Sequence, residues 1–324
     1  MAVRVIKPGL STTVQDLGRP GYYHLGIPIS GAMDRYALAA ANLLVGNKAG
    51  DAALEVVFAG PELRFEDRRT VAVTGADLPP KVDGALQPTW TSFVVEPGQT
   101  LSFGFLKSGA RAYVAVSGGI DVPLVLGSRS TYPLCGLGGF EGRPLRADDV
   151  LEFLGTPGET SAGKEVPLEL RRTASGEVKL RLLPGLYWHR ITEQAGNSFF
   201  EDVWKVAPEA DRIGYRFRGG RPLTFVEREP PFGAGSDPSN VVDCGYAYGS
   251  VQVPAGAEPI LLHRDAVSGG GYFMLGTVIA ADMDLVGQMQ PHQKMRFVRV
   301  DMDEALAARA AERERLSRLR SLLR

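Results

Sequence analysis

The feature that most constrains this chain is a series of short β-prone segments, each bounded by glycine or proline. RTVAVTGADL, TSFVVEPGQTLSFGF, ARAYVAVSGGI and QKMRFVRVD are rich in Val, Phe, Tyr or Ile. The 39 glycines and 22 prolines are scattered between such segments. Many short strands separated by turns are typical of antiparallel sandwiches and barrels. We therefore predict a mainly β fold with few short helices, near 34–46, 198–206 and 282–288, and a C-terminal helix.

The two halves of the sequence resemble each other on either side of a polar, turn-rich middle. YVAVSGGIDVPLVLGS (113–128) is echoed by RDAVSGGGYFMLGT (264–277), so that Val-Ser-Gly-Gly recurs at Val116 and Val267. We predict two duplicated β-barrels at 1–155 and 176–300, a linker at 156–175 and a helix at 301–324. Chance similarity of glycine-rich turns is the alternative. Ligands often bind where domains meet, so we expect the glycine-rich turns of the two halves to converge at a ligand site.

Charge, hydropathy and cysteine content argue against several classes of function. The formal net charge is −1, which gives no electrostatic reason to bind nucleic acid or an anionic membrane. The sequence contains no run of about 18 apolar residues, so we predict no membrane span. Its first residues, MAVRVIKPGL, lack the apolar core of a signal peptide. We expect a cytoplasmic protein. Cys135 and Cys244 follow no CxxC pattern and the four histidines show no metal-ligand spacing, so we expect reduced thiols and no metal.

The segment STTVQDLGRPGYYHLGIPISGAMDRYALAAANLLVG (11–46) combines a turn-rich loop with a helix. Its glycines permit backbone conformations closed to other residues, and Pro20 and Pro28 stiffen the path. Ser30 or Asp34 can cap the helix that follows. A stiff loop before a helix N-terminus presents N–H groups in fixed directions, which favours a carboxylate or a phosphate. A structural clasp without a ligand is the alternative.

This segment resembles the N-terminal motif of the allophanate hydrolase subunit 2-like proteins, a family also described as biotin-dependent carboxyltransferases or as the C component of bacterial 5-oxoprolinase. Further similarity lies in AALEVVFAGPELRF (52–65), VTGADLPPKVDG (73–84), LGSRSTY (126–132) and GGFEGRPLRADDVLEF (138–153). The resemblance covers about residues 3–300 and implies two cyclophilin-like β-barrel domains.

The second half departs from the family pattern. The usual Asp-x-Gln-Thr-Thr-Gly-Gly-Tyr-Pro reads DAVSGGGYF from Asp265 to Phe273, and the usual Ser-Glu-Gly reads Asp243-Cys244-Gly245. First-half motifs hold while second-half motifs drift. The departures therefore put the substrate in question, and not the fold.

The resemblance implies a reaction that is shared with a partner. In 5-oxoprolinases, the C component and a B-like (allophanate hydrolase subunit 1-like) protein use ATP to activate the lactam of 5-oxoproline. A LamB/YcsF-like third protein completes hydrolysis to glutamate. Our leading hypothesis is this C component, with ATP at an interface shared with the B-like partner and with neither nucleic acid nor membrane involved.

Two other functions stay open. In urea amidolyases, which resemble this chain, the corresponding region moves carboxylate from carboxybiotin to urea, so the chain could be a biotin-dependent carboxyltransferase acting on urea or another small amide. No lysine here lies in the Met-Lys context of a biotinyl domain, so no biotin is expected on this chain. A non-catalytic regulatory partner of the B-like protein is the third hypothesis.

Candidate catalytic residues are carboxylates near strand ends and one histidine. Asp34, Asp77 and Asp265 follow glycine-rich or apolar segments, and His189 follows LPGLYW. An acid or base at such positions could serve a reaction at an amide. A helix cap for Asp34, a turn cap for Asp77 and a structural role for His189 are the alternatives.

Candidate substrate-binding residues lie in turn-rich segments. Arginine offers paired N–H donors to carboxylate or phosphate, although each arginine could instead form a salt bridge. Glu55 lies among apolar residues and needs a partner, so it anchors either the opening loop or a ligand. Glycines allow close backbone approach. The full set is Arg19, Asn42, Glu55, Arg129, Arg212, Gln252, Gly270, Gly271 and Tyr272.

Overall fold

The protein is mainly β, which confirms the predicted fold class. A computed structural model describes residues 2–155, 162–172, 176–229 and 231–323, so parts of the predicted linker, 156–161 and 173–175, lie outside the described residues. Contacts divide the chain into two compact units. Unit 1 comprises Met1–Arg19, Ser30–Ala174 and Arg313–Arg324, and unit 2 comprises Pro20–Ile29 and Ser175–Glu312. The loop of the opening segment therefore belongs to unit 2, while the helix after it belongs to unit 1.

Unit 1 is built from two antiparallel sheets. Its strands are β1 (Ala2–Lys7), β2 (Ser11–Gln15), β3 (Ala53–Val57), β4 (Glu62–Phe65), β5 (Arg69–Asp77), β6 (Pro80–Val82), β7 (Ala85–Leu86), β8 (Ser92–Val95), β9 (Thr100–Phe103), β10 (Ser108–Val116), β11 (Ile120–Asp121) and β12 (Val150–Phe153). One sheet has the order β11-β12-β1-β4-β9-β6-β7 and the other β2-β3-β10-β5-β8.

The central strand β10 is buried on both faces. Ala112, Val114 and Val116 pack into one apolar cluster together with residues of both sheets. Tyr113 and Ala115 point to the opposite face, as alternation along a strand requires, and pack against helix α1 (Arg35–Leu44). This arrangement places the helix of the opening segment on the outer face of the five-stranded sheet.

Unit 2 contains a closed barrel and a separate ribbon. Its strands are β13 (Val178–Pro184), β14 (Trp204–Val206), β15 (Gly214–Arg218), β16 (Asn240–Gly245), β17 (Ser250–Gln252), β18 (Ile260–Leu262), β19 (Gly269–Tyr272), β20 (Met274–Val278) and β21 (Lys294–Arg299). The barrel closes in the order β13-β20-β17-β18-β15-β14-β21, with β13 and β21 parallel. β16 and β19 pair with each other as a two-stranded sheet, and we call this pair the ribbon.

The described residues contain three further α-helices, which are α2 (Glu193–Glu201), α3 (Met283–Gly287) and α4 (Met302–Leu322). The prediction of a helix near 198–206 was wrong in position. The helix begins earlier because the Thr192 hydroxyl caps it by accepting from the Ala195 N–H at 3.2 Å, and 204–206 forms β14. Within the described ranges, no helix has both the length and the apolar character needed to cross a membrane.

Short 3-10 helices lie at Tyr23–Leu25, Pro133–Cys135, Leu168–Leu170, Trp188–Arg190, Pro254–Gly256 and Ala280–Asp282. The one at Trp188–Arg190 connects β13 to α2. It carries His189 and Arg190, whose side chains line a cavity.

Candidate functional site

In unit 1, the opening segment folds around the carboxylate of Asp16, which follows β2. Oδ1 accepts hydrogen bonds from Gly18 N at 2.8 Å, Ser128 Oγ at 2.6 Å and Ser130 Oγ at 2.5 Å. Oδ2 accepts from Arg129 N at 2.6 Å. One carboxylate therefore ties the loop after β2 to the LGSRST segment, and we call these residues the Asp16 network.

Both arginines predicted to bind an anion in unit 1 donate to main-chain carbonyls. Arg19 is only 1% exposed, and its Nη2 donates to the carbonyl of Ser130. Arg129 donates through Nε to the carbonyl of Val122 at 2.9 Å. Each guanidinium thus fixes the backbone around the Asp16 network. A ligand role for either stays a prediction.

Glu55 anchors the residues that lead into α1. Its Oε2 accepts from Met33 N at 2.9 Å and from the Tyr113 hydroxyl at 2.7 Å, and Arg111 Nε lies 3.8 Å from Oε1. Burial, reinforced by the charges of Glu55 and Asp34, raises the pKa of Tyr113 well above its usual value. The hydroxyl therefore keeps its proton and donates a hydrogen bond to the carboxylate of Glu55.

The other predicted residues of unit 1 also have structural contacts. Asp34 caps α1, since its Oδ1 accepts from Ala37 N at 2.8 Å. Asn42 is fully buried on α1 and donates to the carbonyl of Asp51 at 2.8 Å. Asp77 is the half-buried last residue of β5. Their involvement in chemistry stays a prediction.

In unit 2, Arg212 and Asp265 form a two-pronged ion pair. Arg212 donates to Asp265 through Nε at 2.7 Å and through Nη2 at 3.2 Å. Asp265 is 4% exposed. The pairing satisfies both carboxylate oxygens of the predicted catalytic aspartate.

The predicted glycines lie on the ribbon and are held by Tyr246. A Cβ added to Gly270 would lie 3.2 Å from the Tyr246 ring, so the strand passes close to it; Gly271 follows on β19. The Tyr246 hydroxyl donates to the Tyr272 carbonyl at 3.0 Å and accepts from Tyr272 N at 2.8 Å. Burial raises the pKa of Tyr246, which the hydrogen bond with the Tyr272 main chain and, less strongly, one with Gln252 partly oppose. Tyr246 therefore links the predicted residues of the ribbon and β17.

Next to the ribbon, unit 2 contains a cavity of about 540 Å³. Its volume lies in the range of small-molecule sites. The polar side chains of its wall are Tyr187, His189, Arg190, Arg228 and Asp243. Apolar wall residues include Val226 and, from β16, Val241 and Val242. The cavity thus combines an apolar surface with an excess of arginine over carboxylate.

Main-chain pairing brings the two arginines together. Ile191 forms a β-bridge with Phe225, and Val226 N donates to the Arg190 carbonyl at 2.9 Å. These contacts align the 225–228 segment with the Trp188–Arg190 turn. Arg190 and Arg228 both donate to the Asn240 carbonyl, at 3.0 and 3.1 Å.

Neither arginine has a carboxylate within 4 Å among the residues that the structure describes. Arg190 is 7% exposed, lies 5.4 Å from the Tyr187 ring centroid, and its Nε finds no hydrogen-bond partner within the described ranges. Burial lowers the pKa of Arg190, and the charge of Arg228 lowers it further. An anion between the two guanidinium groups would offset both the burial of the Arg190 charge and its repulsion by the charge of Arg228.

An acid–base side chain also lies on the cavity wall. His189 is exposed, and its Nδ1 lies 2.9 Å from the Leu186 carbonyl. Because a carbonyl can only accept, Nδ1 carries the proton, which leaves Nε2 as an acceptor in the neutral ring. Burial, reinforced by Cys244, raises the pKa of Tyr187, so its phenol stays protonated.

Sequence reasoning identified His189 here but missed Arg190, Arg228 and Tyr187. The run YWHR was a usable signal, because it places Tyr187, His189 and Arg190 close together, with two residues between them and the end of a strand. Elsewhere, no group of three His, Cys, Asp or Glu side chains that could hold a metal ion occurs in the part of the chain that the structure describes.

The chain is similar to known proteins over nearly its whole length. Residues 25–299 match the family described as "Carboxyltransferase domain, subdomain A and B". The chain is 35% identical over 307 residues to the C subunit of 5-oxoprolinase from Escherichia coli (strain K12), covering 95% of this chain and 94% of that protein.

Longer proteins also contain a similar region. The chain is 33% identical over 320 residues to urea amidolyase of Saccharomyces cerevisiae, covering 96% of this chain but 17% of that protein. The crystal structure of Kluyveromyces lactis urea carboxylase superposes with a TM-score of 0.91 at 33% identity, over 98% of this chain and 29% of that one. The chain therefore corresponds to one part of these larger proteins.

Proposed function

Because the chain belongs to the family of carboxyltransferase domains with subdomains A and B, we propose that it acts as the C component of an ATP-dependent 5-oxoprolinase. The similarity to a protein named as the C subunit of 5-oxoprolinase, which extends over 94% of that protein, supports this choice. The chain would work with a B-like partner, and a LamB/YcsF-like third protein would complete the hydrolysis to glutamate.

The observation that carries the proposal is the charge of the cavity in unit 2. 5-Oxoproline bears a carboxylate beside a small lactam ring, whereas urea is neutral. Arg190 and Arg228 offer N–H donors that no carboxylate of the described residues engages. Arginine suits a carboxylate because its paired donors match the two oxygens.

In this proposal, the carboxylate binds between the two guanidinium groups and the ring packs on Val241 and Val242. His189, with its proton on Nδ1, presents Nε2 as a proton acceptor to the lactam. The protonated phenol of Tyr187 is available to donate to an oxygen that gains charge. ATP, bound together with the partner, would supply the phosphoryl group that activates the lactam.

The decisive experiment mixes the purified chain with its B-like partner and measures ATP turnover. We expect 5-oxoproline to stimulate turnover. Pyrrolidin-2-one, the same lactam without the carboxylate, should stimulate far less. No stimulation by 5-oxoproline rejects the function. Equal stimulation by both lactams keeps the function but removes the arginines from substrate recognition.

Transfer of carboxylate from carboxybiotin to urea or another small amide is the second candidate function. The TM-score of 0.91 to a urea carboxylase favours it. Radiolabelled carboxybiotin and urea, incubated with the chain, would yield labelled carboxyurea under this alternative and not under the first. A chain that binds the B-like partner but supports neither reaction would be regulatory.

A further inference from the structure

Unit 2 contains another arginine that has no carboxylate within 4 Å among the described residues, and this arginine does not line the cavity. Arg264 follows β18 and is 4% exposed. Its side chain makes no hydrogen bond and has no carboxylate within 4 Å among the described residues, and its Nε is fully buried. The adjacent carboxylate, Asp265, is engaged by Arg212 at 2.7 and 3.2 Å. Asp265 is therefore paired with Arg212 and not with Arg264.

An aromatic ring covers one face of this guanidinium. Its central carbon lies 4.3 Å from the centroid of the Tyr248 ring, in the geometry of a cation–π contact. Such a contact uses the face of the guanidinium plane and leaves its N–H edges without acceptors. Burying a cation away from water is unfavourable unless its donors are satisfied.

Tyr23 of the opening segment lies in the same electrostatic environment. Burial raises the pKa of its phenol, the charge of Arg264 lowers it and that of Asp265 raises it. With the pKa raised overall, Tyr23 remains neutral at neutral pH, so it cannot balance the charge of Arg264.

We propose that Arg264 forms a second anion-binding site in unit 2. The ligand is a small oxyanion that presents two oxygens to one edge of the guanidinium, as a carboxylate or a phosphoryl group does. Because Tyr248 covers the face, the ligand binds in the plane of the guanidinium. The site is independent of the substrate that binds near Arg190.

Thermal unfolding of the whole protein tests the site with two probes, inorganic phosphate and acetate, titrated at constant ionic strength with chloride as the balancing anion. A ligand that binds only the native state raises the Tm in a saturable way. We expect at least one probe to do so. A rise with phosphate alone assigns a phosphoryl ligand, a rise with acetate alone assigns a carboxylate, and a rise with both supports the shared chemistry.

Three variants locate the effect. Arg190→Met removes any rise that comes from an anion in the cavity. Arg264→Met keeps the aliphatic stem but removes the charge, and should abolish the rise that remains in Arg190→Met. Arg218→Met, at an arginine paired with Glu209 and Glu258, should leave the rise unchanged. No saturable rise with either probe, or an unchanged rise in Arg264→Met, overturns the site. A rise that Arg190→Met abolishes also overturns it, because the anion then binds in the cavity.

Arg264→Lys keeps the test decisive even if Arg264→Met fails to fold. Lysine keeps the positive charge but lacks the paired planar N–H donors of arginine, so the apparent affinity for the active probe should fall by roughly 3- to 10-fold. If Arg264→Met cannot be purified, an unchanged affinity in Arg264→Lys overturns the proposal.

Discussion

The arginines of the opening motif and the LGSRST segment have different surroundings from the two arginines of the cavity in unit 2. Arg19 and Arg129 donate to main-chain carbonyls beside the Asp16 network. Arg190 and Arg228 also donate to main-chain carbonyls, but they lie on the wall of a cavity, and burial together with the charge of Arg228 lowers the pKa of Arg190. A motif of high sequence specificity can therefore serve to fix the loops of the chain itself. Two arginines that meet on a cavity wall, by contrast, mark a place where an anionic ligand can be held.

The repeated tetrapeptide Val-Ser-Gly-Gly shows the same difference between the units. In unit 1, Val116 ends β10 in the core, and Gly118 and Gly119 turn the chain with φ of +95° and +74°. In unit 2, Val267 is 57% exposed, and the glycines that follow begin β19 of the ribbon. Identical letters therefore form a buried turn in one unit and the start of a ribbon strand in the other.

Removal of the central carboxylate of unit 1 should have the largest effect. Asp16→Ala deprives two N–H groups and two serine hydroxyls of their acceptor. At about 1 kcal/mol for each lost bond, this lowers the free energy of unfolding by about 4 kcal/mol. Urea denaturation measures the loss.

The matched control in unit 2 is Asp211→Ala, whose carboxylate accepts from Ile213 N and Gly214 N in an exposed turn. Its loss should be at most half as large. If both variants lose the same free energy of unfolding, the Asp16 network contributes no more to stability than the exposed turn around Asp211.

Charge removal in the cavity should have the next largest effect. Arg190→Met removes a charged donor and should raise the KM for 5-oxoproline by about 10- to 100-fold, equivalent to roughly 1.5–3 kcal/mol. Lactam-stimulated ATP turnover with the B-like partner measures it.

The opening motif offers the counter-test. Because Arg129 lies in a Gly- and Ser-rich turn, the sequence predicts that it binds an anion and that Arg129→Ala abolishes turnover while partner binding stays intact. The contrast between the units breaks down if Arg129→Ala impairs turnover in a stable protein and Arg190→Met does not.

Loosening the ribbon should have a smaller effect. Tyr246→Phe loses both hydrogen bonds to the Tyr272 main chain, and the partner strand of β19 forms part of the cavity wall. We expect the KM for 5-oxoproline to rise about 3- to 10-fold with little change in kcat. Steady-state ATP turnover at varied 5-oxoproline concentration measures both parameters.

Tyr113→Phe is the control in unit 1, because it also removes a buried hydroxyl but lies in a different core. It should lower the Tm and leave the KM unchanged. A KM effect of equal size in both variants would mean that Tyr246 acts only through general stability.

The smallest expected effect is a pH dependence of the free energy of unfolding, to which one carboxyl group in each unit contributes. Hydrogen bonds from Arg143 lower the pKa of Asp149 below its usual value, and those from Arg221 lower the pKa of Asp202. A carboxyl whose pKa is lower in the folded state stabilises the protein above its unfolded pKa. That stability is lost as the pH falls through the folded pKa.

Arg143→Met should therefore lower the free energy of unfolding at neutral pH but not in strong acid, by less than about 1 kcal/mol because the pair is partly exposed. Arg221→Met should show a pH dependence of the same sign in unit 2. Thermal unfolding at neutral pH and in strong acid measures the change in Tm. A Tm difference that persists unchanged in strong acid would assign the effect to packing rather than to charge.

Much of the fold and family was predictable, and much of the cavity was not. The strand pattern predicted a mainly β chain, the family resemblance is confirmed, and Asp34 caps α1 as one of two predicted candidates. Among the cavity residues, only His189 was predicted. Arg190 meets Arg228 through a bridge between distant segments, and no local pattern encodes that pairing.

By itself, the sequence determined the alternation of short strands and turns, the helix cap and the family, because these depend on residues close in the chain or on long motifs. Only the tertiary structure decided which charged side chains have polar partners. Asp16 meets its two serines across 112 and 114 residues of chain, whereas Arg264 meets an aromatic face and, among the described residues, no carboxylate. The partners of a charged side chain are its neighbours in space, and folding sets those neighbours by burying apolar surface, without regard to sequence distance.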